Sequence, residues 1–237
     1  MKINVIQKVS FGLGGGVNAI KTDFFVWYLG AYYLTVLGLS PLLTGFALLI
    51  ALFIDALSDP LIGTFSDRIR SKFGRRHILM AFSLFPISLS YLMLFLPSPD
   101  WSENQIFLFF WLLFFAILTR FSVTLFDIPH RALAAEIPES YEDKANIMSL
   151  REGFQSLIAL SHSFLILPFI SLNNNEEWFN IGIFGSVIMF GLGLISIIGT
   201  KNLIPKLYEW PISEKNAAPF KDIQNQLSFV YRNKTII

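Results

Sequence analysis

Residues 53–77 read FIDALSDPLIGTFSDRIRSKFGRRH, in which an apolar segment containing Asp55 and Asp59 runs directly into a loop rich in arginine. The preceding residues, 41–54, contain no charged side chain. About 20 mostly apolar residues are enough for a helix to cross a bilayer. A basic cluster directly after such a segment is typical of a cytoplasmic loop. This stretch therefore predicts an integral membrane protein with acidic groups inside one of its spanning helices.

The composition of the whole chain agrees with a membrane protein. Of its 237 residues, 54% are hydrophobic and 15% are charged, and phenylalanine occurs 25 times. An average soluble domain has about 25% charged residues. Since no basic stripe is interleaved with aromatic residues, we expect no nucleic-acid partner. The absence of cysteine from the sequence excludes disulfides and thiolate metal sites.

Hydrophobic segments along the chain predict an all-α membrane protein with six transmembrane helices. We expect residues 1–200 to form this six-helix bundle, and residues 201–237 to form a cytoplasmic linker followed by the start of a seventh helix. On this interpretation the chain is a truncated half, and a missing C-terminal half or a second copy would complete the central cavity. The predicted spans are residues 10–37, 41–65, 78–96, 104–127, 153–171 and 178–199.

The distribution of Lys and Arg predicts the orientation in the membrane. Basic residues occur in the N-terminal tail and after predicted helices 2, 4 and 6, whereas the other three loops contain none. Because basic loops stay on the cytoplasmic side, we expect a multi-pass cell membrane protein with both termini in the cytoplasm. Trp101 and Trp178 are expected in the outer aromatic belt.

Ionisable residues within the predicted spans are the candidate functional groups, because each costs about 2.5–3.5 kcal/mol at the centre of a bilayer. Asp55 and Asp59 are one helical turn apart and share a face, so a cation or proton between them would relieve their repulsion. Alternatively, each caps a helix end or pairs with a basic neighbour, and Pro60 marks a local break in the helix.

Four other charged positions are open to more than one interpretation. Arg120 and Asp127, at the end of helix 4, share a helical face. Arg120 either neutralises Asp127 or an acid of helix 2, or it contacts substrate. Lys21 and Asp23 point to different sides of helix 1, so we expect each to pair with another helix. The run GLGGG at 12–16 follows no strand, and it predicts close helix packing rather than a nucleotide loop.

Several motifs resemble one family across the whole chain. The loop GTFSDRIRSKFGRRH resembles the signature of the major facilitator superfamily between helices 2 and 3. The segments DALSDPLIG, KVSFG and TLFDIPHRALAAEIPESYEDKA, with Arg151, are similar to the glycoside–pentoside–hexuronide:cation symporters, the melibiose permease-like family. The residues that match the superfamily signature are Gly63, Asp67, Arg68, Gly74, Arg75 and Arg76.

This resemblance implies a cation-coupled symporter of a sugar or glycoside-like solute that works by alternating access. It implies that Asp55, Asp59 and Thr124 bind the coupling ion, Na⁺ or H⁺, without any other cofactor. It also implies that Asp127 and Arg151 bind solute, and we add Arg120 and Asp23 as further candidates. The superfamily signature implies a conformational latch on the cytoplasmic side.

Other function classes remain as alternatives. A non-sugar solute, such as a lysolipid or an amino acid, fits the same acid pair. A non-transporting remnant or scaffold would not need that pair. We do not expect an enzyme, because no nucleophile–base pair lies within the spans: cysteine is absent and His162 stands alone in predicted helix 5.

Overall fold

The computed structural model describes residues 3–69, 71, 73–136, 141–166 and 175–203, and within these ranges the chain is helical with short connections. The described part of residues 201–237 is a short 3₁₀ turn, Lys201–Leu203, and the rest of the predicted linker lies outside it. The long helices are α1 (Val5–Asp23, continuing through Phe24–Tyr28, Leu29–Ala31 and Tyr32–Val36), α2 (Pro41–Arg68), α3 (Arg75–Met93), α4 (Gln105–Glu136), α5 (Tyr141–Ile166) and α6 (Asn175–Thr200).

Four of these segments are long and apolar enough to cross a membrane: Pro41–Arg68, Arg76–Met93, Gln105–Glu136 and Asn175–Leu203. Their outward faces carry largely exposed aromatic side chains, such as Phe53, Phe114 and Phe184. A surface of this kind is tolerated where lipid rather than water is the solvent. The prediction of an all-helical membrane protein is therefore confirmed, and the number of six spans stays a prediction.

The helices pack side by side in the order α5, α1, α6, α3, α4 and α2. Helix α1 thus lies between α5 and α6, and it also touches α4. Helix α4 packs between α2 and α3, which brings its polar face close to the acidic face of α2. The charged positions of α1, α2 and α4 are therefore next to one another, although they are far apart in the sequence.

The glycines of the GLGGG run are at the closest contacts of α1. A Cβ atom added to Gly12 would lie 2.5 Å from Phe154 of α5, and one added to Gly14 would lie 2.5 Å from both His130 of α4 and Ser196 of α6. No larger residue fits at these positions without movement of a neighbour. The prediction of close helix packing is confirmed.

Two prolines do not interrupt their helices, which corrects the predicted local break at Asp59 and the predicted end of helix 4 at Asp127. Helix α2 continues through Pro60 to Arg68, so Asp59 is not at a helix break. Helix α4 continues through Pro129 to Glu136, so Asp127 lies inside it rather than at its end. A proline is tolerated within a bilayer-spanning helix because neighbouring helices and side chains compensate for the lost hydrogen bond.

Helix α5 also begins earlier than predicted. It starts at Tyr141, so Arg151 lies well inside the helix rather than opening it. Its first half carries Glu142, Asp143 and Lys144, and these charges made the segment look like a loop. The predicted end of this helix, at residue 171, lies outside the described residues.

The end of the bundle opposite the arginine-rich loop is closed by hydrogen bonds between helices. The Tyr32 hydroxyl lies 2.7 Å from the carbonyl oxygen of Pro97 and 2.9 Å from Oδ1 of Asn175. Trp178 is buried against the Tyr32 ring, with 5.2 Å between ring centroids. The prediction that Trp178 belongs to a lipid-facing aromatic belt is therefore wrong, because its position at the start of α6 faces the bundle.

Candidate functional site

A cavity of about 280 Å³ opens between α1, α2 and α4. It contains four of the predicted site residues: both acids of α2, together with Thr124 and Asp127 of α4. Since both carboxylates of α2 line one cavity, the prediction that they share a face is confirmed. The lining residues are Asn18, Lys21, Thr22, Asp55, Asp59, Val123, Thr124, Asp127, Ile128 and Arg131.

Asp55 is held by three polar groups from two neighbouring helices. Its Oδ2 atom accepts a hydrogen bond from Nη1 of Arg120 at 2.9 Å and lies 3.6 Å from Nζ of Lys21. Its Oδ1 atom accepts a hydrogen bond from the Thr124 hydroxyl at 3.0 Å. Only 13% of the Asp55 side chain is exposed. A carboxylate this deeply buried needs such partners, since an unpaired buried charge is costly.

Asp59 lies one turn further along α2 and is much more exposed than Asp55. It interacts with the Thr124 side chain and lies within electrostatic range of Lys21, Asp55 and Asp127. The Thr124 hydroxyl has one proton, so it donates a hydrogen bond to one carboxylate at a time. Thr124 thus lies between the two acids of α2, where its hydroxyl can donate a hydrogen bond to either of them.

Arg120 pairs with the acid of α2 and not with Asp127 of its own helix. Its guanidinium also stacks on the ring of Phe25, 4.5 Å from the ring centroid. These contacts confirm the alternative in which Arg120 neutralises an acid of helix 2. They arise because α4 packs against both α1 and α2 at this level.

Asp127 is held from two sides by arginines. Nε of Arg131, one turn further along α4, donates to Oδ2 at 2.7 Å, and Arg151 of α5 donates to Oδ1. Arg151 is fully buried and also donates to Glu152 and, at 3.2 Å, to Nδ1 of His130. Asp127 and Arg151, both solute-binding candidates from the sequence, are therefore in direct contact.

His130 connects this network to α1. Nε2 of His130 lies 3.0 Å from the carbonyl oxygen of Phe11, and the two rings stack with centroids 4.2 Å apart. Since Nδ1 accepts from Arg151, the contacts assign the proton to Nε2 and leave the imidazole neutral. Sequence reasoning missed Arg131 as the partner of Asp127 and His130 as the partner of Arg151, although the position of Arg131 one helical turn after Asp127 was an available signal.

The remaining candidate, Asp23, is not among the residues that line this cavity. Its carboxylate lies within electrostatic range of Tyr91 on α3, on another side of α1. Lys21 and Asp23 therefore do point in different directions, as predicted. Only Lys21 faces the acids of α2.

The arginine-rich loop carries a second polar cluster, centred on Arg76. This side chain pairs with Asp67 of α2 and Glu136 of α4, and it donates to the Ser66 hydroxyl at 2.7 Å. Arg76 is buried, and it joins the ends of α2, α3 and α4. Such a junction holds three helix ends together through charge.

The other predicted latch residues surround this junction. Gly74 has a φ of +85°, a conformation that favours glycine, and it immediately precedes α3. Gly63 faces Ile128 of α4, where an added Cβ would make an ordinary contact at 3.8 Å. Arg68 is exposed at the end of α2. The side chain of Arg75 lies outside the described part of the chain.

No group of three or more His, Asp or Glu side chains in the described ranges is arranged to hold a metal ion. A cation at Asp55 and Asp59 would thus rely on two carboxylates and on neutral oxygens such as that of Thr124. Such hard oxygen ligands suit an alkali cation or a proton rather than a transition metal.

Comparison with known proteins gives a consistent set of matches. The profile of the family described as MFS/sugar transport protein matches residues 10–234. An uncharacterized symporter of Synechocystis sp. is 30% identical over 193 residues, which cover 79% of this chain and 36% of that protein. A glucuronide carrier protein homolog of Escherichia coli is 24% identical over 79% of this chain and 40% of that protein.

Another match covers a smaller share of this chain. The sodium-dependent lysophosphatidylcholine symporter 1 of Gallus gallus is 26% identical over 63% of this chain and 28% of that protein. This chain therefore spans less than half the length of the curated relatives it matches. The relatives share the word symporter or carrier in their names and differ in the solutes named.

Proposed function

Because this chain belongs to the MFS/sugar transport protein family, we propose that it forms part of a cation-coupled symporter that moves a small solute by alternating access. The observation that carries this proposal is the cavity that brings Asp55, Asp59, Thr124 and Asp127 together from two helices. Intramembrane acids that face a cavity are the groups that transporters use for ions and protons. The proposal assigns no catalytic role to the chain.

In this proposal the chain contributes six spanning helices to the transporter, and its N- and C-termini lie in the cytoplasm. The arginine-rich loop and its Arg76 junction would then lie on the cytoplasmic side. Because the relatives are more than twice as long as the matched region, we propose that a second six-helix half, or a second copy of this chain, faces the cavity. Solute would bind between the two halves, which rock around it.

In the proposed mechanism, a cation binds at Asp55 and Asp59 with the Thr124 hydroxyl as a neutral ligand. Its charge offsets the mutual repulsion of the two carboxylates. If the solute-competent arrangement binds the cation more tightly, the cation stabilises that arrangement and the solute in turn tightens cation binding. This reciprocal coupling is what allows a cation gradient to drive solute uphill.

The Arg76 junction fits the role of a latch in this cycle. Its ion pairs to Asp67 and Glu136 join the ends of three helices. Breaking them would free these ends to separate as the two halves rock. The partly exposed side of this junction, at Asp67, is where water or the other half would compete for Arg76.

A sugar or glycoside-like solute is the first candidate for this site. All lining residues except Val123 and Ile128 carry polar or charged groups, and such groups suit the hydroxyls of a sugar. A lysolipid is the second candidate, because one relative is named as a sodium-dependent lysophosphatidylcholine symporter. A lysolipid would require an apolar channel for its chain beside this polar cavity.

Uptake of labelled sugars into cells that express the full-length protein tests the proposal. We expect Asp59→Asn to abolish accumulation against a gradient, because the amide removes one charge of the acid pair. Asp59 is the better target because it is exposed and its loss leaves the buried pair of Asp55 and Arg120 intact. Asp100→Asn, at an exposed acid outside the cavity, is the matched control. Accumulation by Asp59→Asn at the level of this control would refute the assignment.

A further inference from the structure

A lysine of the protein itself lies beside the acid pair of α2, in addition to Arg120. Nζ of Lys21 lies 3.6 Å from Oδ2 of Asp55, and the lysine lines the same cavity as Asp59. Lys21 also lies within electrostatic range of Asp59 and Asp127. Its side chain is only 10% exposed. The ammonium therefore stands where the proposed function requires a cation.

The two basic partners of Asp55 differ in how firmly they are held. Arg120 donates a hydrogen bond at 2.9 Å and stacks on Phe25. The Lys21 ammonium, at 3.6 Å, is too far from Asp55 for a hydrogen bond and is held by charge alone. A lysine head group on a flexible four-carbon stem can move away from such a contact. Arg120 is thus the fixed partner and Lys21 the displaceable one.

The arginines near Lys21 pair with Asp55 and Asp127, so Asp59 is the carboxylate whose charge Lys21 balances. Arg120 of α4 balances Asp55, while Arg131 of α4 and Arg151 of α5 both pair with Asp127. The charged groups that face Lys21 are thus the acids of α2, with Arg120, Asp127 and Arg131 of α4. Asp59 is the acid that Lys21 is left to balance. A second cation placed between Asp55 and Asp59 would meet the ammonium as a like charge, which raises the free energy of cation binding.

We propose that Lys21 is a tethered counter-cation that competes with the coupling cation for Asp55 and Asp59. This inference rests on the proposed function and adds a residue that sets cation affinity. Na⁺ binds only when the ammonium leaves the acid pair, so native Na⁺ affinity is weak. Cation binding is then linked to a movement of the Lys21 side chain away from Asp55 and Asp59.

Calorimetric Na⁺ titration of the purified full-length protein tests this competition. We expect Lys21→Gln to bind Na⁺ at least about tenfold more tightly than the native protein, because a like charge a few ångströms away is removed. Lys21→Arg keeps the charge and should retain weak, native-like binding. Equal Na⁺ affinity in the native protein and Lys21→Gln would overturn the inference.

A second experiment removes the charge after folding. Acetylation of the folded native protein neutralises lysines, and acetylated Lys21→Arg is the control in which this position keeps its charge. Once mass spectrometry shows that Lys21 itself is acetylated, tighter Na⁺ binding in the acetylated native protein alone supports the competition, and equal binding in both proteins contradicts it. Asp59→Asn in the Lys21→Gln background separates the two proposals: if Na⁺ still binds tightly, the proposed cation site itself is wrong.

Discussion

Replacement of Arg151 by Met is the sharpest test of the buried network around Asp127. Two arginines pair with this one carboxylate, and they differ mainly in burial. The Arg151 side chain is 0% exposed, whereas that of Arg131 is 43% exposed. Arg151→Met and Arg131→Met remove the same group from the same acid, so their comparison measures what the buried network around Arg151 adds.

The expected difference follows from the contacts that each substitution removes. Arg151→Met removes a buried ion pair with Asp127 and a hydrogen bond to His130, and breaking a buried pair costs about 3–5 kcal/mol. Arg131→Met removes one partly exposed contact, and such pairs contribute about 0–1 kcal/mol. We therefore expect Arg151→Met to lower the free energy of unfolding by at least about 2 kcal/mol more than Arg131→Met.

Reversible unfolding in mixed micelles, followed by far-UV circular dichroism during a titration with SDS, measures this difference. Both variants are compared with the native protein at one protein and detergent concentration. An Arg131→Met variant that loses as much stability as Arg151→Met would refute the reasoning. So would an Arg151→Met variant that is as stable as the native protein.

Two pairs of glycine substitutions test the packing and a backbone conformation in the same assay. Gly199→Ala should cost about 1–3 kcal/mol, because its Cβ would lie 2.2 Å from Cβ of Ser10. Gly191→Ala, with nothing within 4 Å of its added Cβ, is the control and should be neutral or slightly stabilising. Gly74→Ala should cost about 1–2 kcal/mol at a φ of +85°, whereas Gly153→Ala on an open helical surface should not. Equal stability within either pair would contradict the corresponding contact or backbone argument.

The helices were predictable because hydrophobic length is a local signal. The start of α2 at Pro41 was predicted correctly, since Ser40 caps it with an oxygen that accepts from the amide of Leu43. The ends were predicted less well. Charges at the start of α5 and prolines near the ends of α2 and α4 looked like loop signals, and only packing against neighbouring helices keeps those turns helical.

The candidate site was predictable to the extent that it lies on one helix. Spacing alone puts Asp55 and Asp59 on one face, and the cavity contains both. The partners of Asp55 were not predictable, because Lys21 and Arg120 reach it from other helices. These ion pairs form only when α1, α2 and α4 pack together, and the sequence does not indicate with which acid Lys21 and Arg120 each pair.

The glycine run of α1 connects this packing to the site. An added Cβ at Gly14 would overlap Nε2 of His130, the atom that bonds to the backbone of α1. His130 in turn accepts from Arg151, and Arg151 holds Asp127 at the wall of the cavity. The small residues that allow α1 to approach α4 are therefore also what allows the buried arginine to reach its acid. The glycine run, which the sequence indicates only as a packing motif, therefore also helps to fix the position of Asp127.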